Sequence, residues 1–388
     1  MNIQKTFTIF ASIIVLFSCN SKKEDAIFIV KNSLNVERSF ETVSIDKKFY
    51  KKEISDNVGI KDVTTGKIIT SQLVDNNGDG IKDEIIFQPK IAANSKKEYQ
   101  IVYLKEIPKK EVICYSRFVP ERTDDYTWEN NKVAFRIFGP TAQKMKEDGV
   151  PGGTLSSGVD AWLKKVDYPI INKWYHKELQ TNGSYHEDNG EGLDNFHVGV
   201  SRGVGGTAIK KDTTFFYSKN YTKWKTITTG PIRTSFYVEY ADWDAAGNTI
   251  KESKIISLDF GNYFSKFNCT IKGANSISAG LTLHEKDGKV TSNTEEGWTS
   301  YWQPHGDSEL GTAIIVPENY ISSFEKYDTP IVDLSNAYAN LKVMNQQVTY
   351  FSGFGWKERG EFNSQQEWEE YVSSFSKKTN SPMTLEWR

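Results

Sequence analysis

The chain reads as a mostly β protein, a small N-terminal β domain followed by a large β-sandwich with few helices. Three observations carry that reading. Apolar and polar residues alternate in short runs along most of the length, the pattern of half-buried strands. Clusters of Gly, Asn and Asp separate those runs, as turns require. The composition is aromatic-rich and methionine-poor, with ten tryptophans, nineteen tyrosines and 28 glycines beside four methionines, which suits β-sheets better than helices.

The elements follow in order. Met1 to Lys5 is a short basic start, Thr6 to Phe17 an apolar run, and Leu16-Phe17-Ser18-Cys19 a lipobox. The run is too short to span a bilayer and has signal-peptide flanks, so residues 1–19 are a lipoprotein signal with Cys19 as the lipidated residue. Residues 20–25 are a charged tether. The expectation is a protein lipid-anchored to the outer membrane, on its periplasmic or cell-surface face. Ala26 to Val30, Phe40 to Ile45, Glu84 to Phe87 and Glu98 to Leu104 are strands of the small domain, 26–108. Pro108-Lys109-Lys110-Glu111 is the best boundary. The large domain, 111–388, takes Val133 to Ile137, Thr213 to Tyr217, Thr234 to Tyr240, Lys254 to Leu258, Tyr263 to Ile271, Gly311 to Val316 and Val348 to Phe354 as strands. Gln143 to Glu147 is a short turn or helix. Ser364 to Lys378 is an amphipathic helix with Trp368, Tyr371, Val372 and Phe375 on one face. Asn380-Ser381-Pro382 ends it, and Met383 to Trp387 is a last strand.

Asp75-Asn76-Asn77-Gly78-Asp79-Gly80 places oxygen side chains at alternate positions, as calcium loops do. The twelfth position is Ile86 rather than a bidentate glutamate, so a hairpin joining Gln72-Leu73-Val74 to Glu84-Ile85-Ile86-Phe87 is the preferred reading. The formal net charge of −2, with lysine and aspartate mixed along the chain, argues against a nucleic-acid partner. With Cys19 used for lipid, Cys114 and Cys269 remain, either as a pair or as two buried thiols.

Candidate chemistry concentrates between Tyr175 and Arg202, which hold His176, His186 and His197, three of the five histidines. The run Tyr185-His186-Glu187-Asp188-Asn189-Gly190-Glu191-Gly192-Leu193-Asp194 packs imidazole, carboxylate and phenol between glycines, the reagents for proton transfer near neutral pH. Arg136, two strand positions from Ala134, could hold a carboxylate, with pairing to Glu129 as the bland alternative. Trp128, Trp162, Trp174 and Trp302 could offer aromatic faces to sugar rings, although most rings in such a chain belong to the core. Lys173 and Arg202 are further cations, and Glu191 and Asp194 could bind hydroxyl groups. His305, in Tyr301-Trp302-Gln303-Pro304-His305-Gly306-Asp307, sits at a proline-fixed turn beside aromatics. His176, His186, His197 and His305 lack the tight spacing of a zinc site, so no metal and no cofactor are expected.

The stretches Arg122 to Asn130, Ala134 to Pro140, Tyr185 to Asp194 and Ser201-Arg202-Gly203 together resemble a family of Bacteroidetes lipoproteins of formerly unknown function, over nearly the whole mature chain. Lys22-Lys23-Glu24-Asp25 likewise resembles the surface-export signal of such lipoproteins. One group of that family is the oligosaccharide dehydratase of ulvan breakdown. The resemblance implies a galactose-mutarotase-like supersandwich, acting as a monomer. It also implies an activity that eliminates water from a non-reducing terminal uronic acid to leave a 4,5-unsaturated sugar. Elimination needs a base, a cation to neutralise the carboxylate, and an acid for the leaving oxygen. His186 or Tyr185 is the expected base, His305 the acid, and Arg136, Lys173 or Arg202 the neutraliser. Asp188, Glu191 and Asp194 keep a glycoside hydrolase open, and the aromatics and cations alone would suit a non-catalytic glycan-binding lipoprotein.

Overall fold

The computed structural model describes residues 26–49, 57–106 and 109–388. The leader, Cys19, the tether and Pro108 of the expected boundary lie outside them. The described residues form the mostly β architecture that alternation predicts, with a small sheet unit and a large sandwich.

In the small unit, Ile27–Lys31 pairs antiparallel with Lys96–Tyr103, and Val58–Asp62 and Ile68–Ile69 extend the sheet. A second sheet of Val43–Asp46, Glu84–Phe87 and Ser71–Val74 covers it. Phe28, Val30, Ile45, Ile60, Phe87 and Ile101 close the core between them. One expectation needs correction here. The last strand, Thr384–Trp387, does not belong to the large unit but pairs with Ile27–Lys31, Phe28 opposite Trp387. The reason is burial: the Trp387 ring lies 5.2 Å from that of Phe28 and covers an otherwise open apolar edge,.

Ser71–Val74 and Glu84–Phe87 form the expected hairpin, with Val74 opposite Glu84. In its loop Asp75 accepts the amides of Gly78 and Gly80, and Asp83 accepts that of Asn76 and pairs with Lys47 at 2.6 Å. These carboxylates already have donors that set the turn. Treating the protein with chelator should leave its melting temperature unchanged. An ion held at a hundred times its dissociation constant would add about 2.7 kcal/mol, so a clear drop in calorimetry would make Asp75, Asn77, Asp79 and Asp83 ligands.

The large unit stacks two sheets. A nine-stranded sheet contains Arg233–Tyr240, Asn248–Asp259, Phe264–Lys272, Gln347–Trp356, Ser308–Ile315 and Trp298–His305 as neighbours. A five-stranded sheet built on Val204–Lys211, Ser276–Thr282 and Asn336–Lys342 packs on it. The α-helices among the described residues are α1 (Pro140–Glu147), α2 (Ile171–Gln180) and α3 (Gln365–Asn380); α3 follows the expected span, and Ser364 caps it by accepting the Glu367 amide,. Its Trp368 lies on Gly311 and Gly355, which pair directly across two strands. A Cβ at either glycine would come within 2.7 Å of the indole, so only glycine leaves room for the ring,. Cys114 and Cys269 are two free, buried thiols.

Candidate active site

A further five-stranded sheet carries the site. Its central strands are Asp125–Glu129, Ala134–Ile137 and Asp160–Lys164, antiparallel in that spatial order, with Arg136 opposite both Thr127 and Asp160. Because side chains alternate, Tyr126, Trp128, Phe135, Ala161 and Leu163 share one face and enter the main core,. Asp125, Glu129, Arg136, Asp160, Trp162 and Lys164 share the other. That second face is covered by the helix α2 (Ile171–Gln180), whose Trp174 and Tyr175 pack on Trp162.

Two buried ion clusters follow from this arrangement. Glu129 and Lys164 form a pair at 2.7 Å with both side chains 0% exposed. Glu129 also accepts the amides of Ile170 and Ile171 at 2.9 Å, placing a carboxylate at the N-terminus of α2,. Glu129 is therefore not the partner of Arg136. Arg136 instead meets three carboxylates: Asp160 at 2.6 Å, Asp194 at 2.9 Å and Asp125 at 3.9 Å. Its Nη1 donates to the Tyr185 hydroxyl at 3.1 Å, and Arg122 Nε donates to the same oxygen at 3.3 Å. Trp162 lies under the guanidinium at 5.3 Å.

One cation faces three buried carboxyl groups, and their acidity is weakened accordingly. Burial pushes Asp125 up to about 6, with Arg136 and Arg122 opposing it. Burial and then the charge of Asp194 drive Asp160 well above the usual carboxylate range, and burial raises Asp194 as well. Burial is the main physical cause, and for Asp160 the like charge of Asp194 on the same guanidinium nitrogen adds to it,. Protonation of the Asp160–Asp194 pair is thus favoured relative to an ordinary aspartate.

This cluster forms the floor of a cleft of about 580 Å³, whose walls include Arg122, Lys146, His186, Asn195, His197 and Asp333. Arg122 and Lys146 have no carboxylate within ion-pair distance among the described residues. His186 stands at the rim, 56% exposed. Its Nδ1 contacts the Asp194 carbonyl oxygen, which can only accept, so Nδ1 carries the proton and Nε2 keeps a free lone pair,. His197 pairs with Asp333 at 3.0 Å over Gly199, where a Cβ would collide with the Asp333 carboxylate.

Several expected site residues lie elsewhere. His305 is not on the cleft wall; it stands behind it, bonded to Asn195 at 3.0 Å and beside Phe196. Burial, then the neighbouring His284, lowers it to about 4. With its ionisation lowered this far, the ring is neutral at pH 7. Arg202 is buried, with its guanidinium bonded to Ser157, the Thr207 carbonyl and the Val200 carbonyl and lying 4.0 Å from the Tyr217 ring. It offers no donor to a substrate. Arg136 does line the cleft, with its charge shared among three carboxylates. Lys173 pairs with Glu191 at 2.6 Å, and Asp188 pairs with Lys165 and accepts two glycine amides. Trp128, Trp162, Trp174 and Trp302 are all buried, so none presents a free face to the cleft. His176 bonds Gln180 along α2.

Asp125, Asp160, Arg122 and Lys146 were missed as site residues. Only the stretch from Arg122 to Asp125, already part of the family resemblance, offered a signal for two of them.

A family model described as a domain of unknown function, DUF4861, matches residues 30–385. An uncharacterized protein P7 from Formosa agariphila is 52% identical over 385 residues, 97% of each chain. Among solved structures, a protein in glycosyl hydrolase family 38 from Enterococcus faecalis aligns with a TM-score of 0.54 at 10% identity. It covers 94% of this chain, while this chain spans about half, 48%, of that one. The likeness is one of fold.

Proposed function

Since the chain belongs to the DUF4861 family, we propose that its cleft carries out a carbon–oxygen elimination on the non-reducing terminal uronic acid of an oligosaccharide, releasing water and leaving a 4,5-unsaturated sugar. The supporting observation is one cleft that joins an imidazole with a free Nε2, two cations without carboxylate partners and two buried carboxyls on one guanidinium, whose burial favours the protonated form. Each group has a step to perform. Arg122 and Lys146 meet the uronate carboxylate and the charge that spreads onto it as the C5 proton leaves. His186 Nε2 takes that proton. The Asp160–Asp194 pair gives its proton to the C4 oxygen, the C4–O bond breaks, and the electrons of the former C5–H bond become the C4–C5 double bond. Tyr185 lies beneath, its oxygen held by two guanidinium groups that compensate charge in the cleft floor.

A glycoside hydrolase is the second reading. It is favoured by the closeness of Asp160 and Asp194, and the solved structure of similar fold is titled as a glycosyl hydrolase. Two carboxylates in one cleft are what such chemistry uses. Incubation with uronic-acid oligosaccharides, ulvan-derived ones first, separates the readings. Elimination gives ultraviolet absorbance of a conjugated alkene with loss of one water by mass. Hydrolysis gives new reducing ends and no alkene. A binding protein gives neither.

The site's location on the cell is part of the same proposal. Cys19→Ala should release the protein from the membrane fraction, because Leu16 to Cys19 sets a cysteine directly after the apolar run,. Membrane fractionation of the variant decides it, and a variant that still sediments with membranes rejects the anchor.

A further inference from the structure

A second cleft, of about 480 Å³, lies where the small unit and α3 meet the outer face of the nine-stranded sheet. The register explains what faces it. Lys266 stands opposite Ser257 on one neighbouring strand and Phe351 on the other, and Arg233 stands opposite Asp259. Paired residues share a face and so do residues two apart, so Phe264 joins Lys266 and Phe351 on the cleft side.

The charges there do not cancel. Arg233 closes on Asp259 through two bonds of 2.6 and 2.8 Å. Glu41, the other carboxylate on the wall, is held by Arg38. Lys266 and Lys378 also line the cleft, and among the described residues neither ammonium has an ion pair or a hydrogen bond. Phe264, Phe351, Phe375 and Tyr320 supply apolar wall around them. A part-buried ammonium with no ion pair or hydrogen bond of its own is an unfavourable arrangement that a bound anion corrects. Burial and then the charge of Arg233 depress the ionisation of Lys266, against a weaker attraction from Asp259 and Glu84.

We infer that this cleft binds an organic carboxylate with an apolar body, its charge on Lys266 and Lys378 and its body against Phe264 and Phe351. The site is separate from the cleft of the proposed elimination and does not depend on that reading.

Octanoate is a suitable probe, with octanol as its uncharged counterpart. In the full-length protein, pulse acetylation with acetic anhydride followed by peptide mass mapping reads the accessibility of each lysine. Octanoate is expected to protect Lys266, and octanol is not. Calorimetric titration of Lys266→Met, which keeps the stem but not the charge, should show at least tenfold weaker octanoate binding. Equal labelling of Lys266 with and without octanoate overturns the inference. So does undiminished binding by Lys266→Met, or octanol binding as tightly as octanoate. The labelling arm uses the unaltered chain, so a poorly folded variant leaves the question decidable.

Discussion

His186→Ala should abolish alkene formation at ordinary enzyme concentrations, a loss on the order of 100- to 10,000-fold, the range a positioned general base contributes. The fold should be untouched. The ring is 56% exposed, and it meets the Asp194 carbonyl, the Asp194 carboxylate at 3.9 Å and the edge of Tyr185, so its removal opens no cavity in a core. The same exposure makes the loss reversible: added imidazole can enter the rim and supply the missing lone pair. The check is turnover followed by ultraviolet absorbance in the variant, with and without imidazole, beside its thermal transition. A His186→Ala protein that keeps its activity would remove the imidazole from the mechanism and move the assignment to Asp160 and Asp194. Loss of activity together with a lowered melting temperature would point to a structural role instead.

The sheets were legible because period-two alternation is a local property. Phe28, Val30 and Ile101 announce buried faces within their own runs, and Ser364 with Glu367 marks the start of α3 four residues ahead of its first apolar residue, Trp368,. The helix α2 was legible too, since Ile171, Trp174 and Tyr175 follow the i, i+3, i+4 spacing of one helix face. Reading those rings as a sugar platform concealed it. The tryptophans went inward for the reason that makes them attractive as platforms: a large apolar area gains most when it is fully buried, and three packed sheet layers have the volume to take it. The cleft floor was illegible for a different reason. Arg136 reaches Asp160 through strand register and Asp194 through a loop that folds back over the sheet, and neither separation carries a local signal. Lys164 took Glu129, the neighbour that sequence proximity offered to Arg136. His284 stands alone in its run, yet in the fold it bonds Gln303 and the His197 carbonyl and helps to keep His305 neutral.

Arg136→Met should be the most damaging single change to stability, by about 3–5 kcal/mol at neutral pH. That is the cost typical of removing one partner from a buried ion cluster. Methionine fills much of the volume, so the loss isolates the charge: Asp125, Asp160 and Asp194 would be left buried without the guanidinium that faces them all. The pH dependence gives the sign. In the folded protein burial holds these carboxyls above the ordinary carboxylate range, Asp125 at about 6. A raised carboxyl binds its proton more tightly in the folded than in the unfolded chain, so its contribution is fully present below about pH 4 and is lost as pH rises through the folded value. Without Arg136 the folded values rise further, and the window of loss extends upward. The difference in stability between the variant and the parent should therefore shrink as pH is lowered from 7 toward 5, because protonation does what the guanidinium did. Urea unfolding of both proteins across that range measures it. A penalty that stays constant with pH would mean that Arg136 acts through packing on Trp162 and Phe138 and that the three carboxyls are not the source of a proton in the cleft. The acid step assigned to Asp160 and Asp194 would then fall with it.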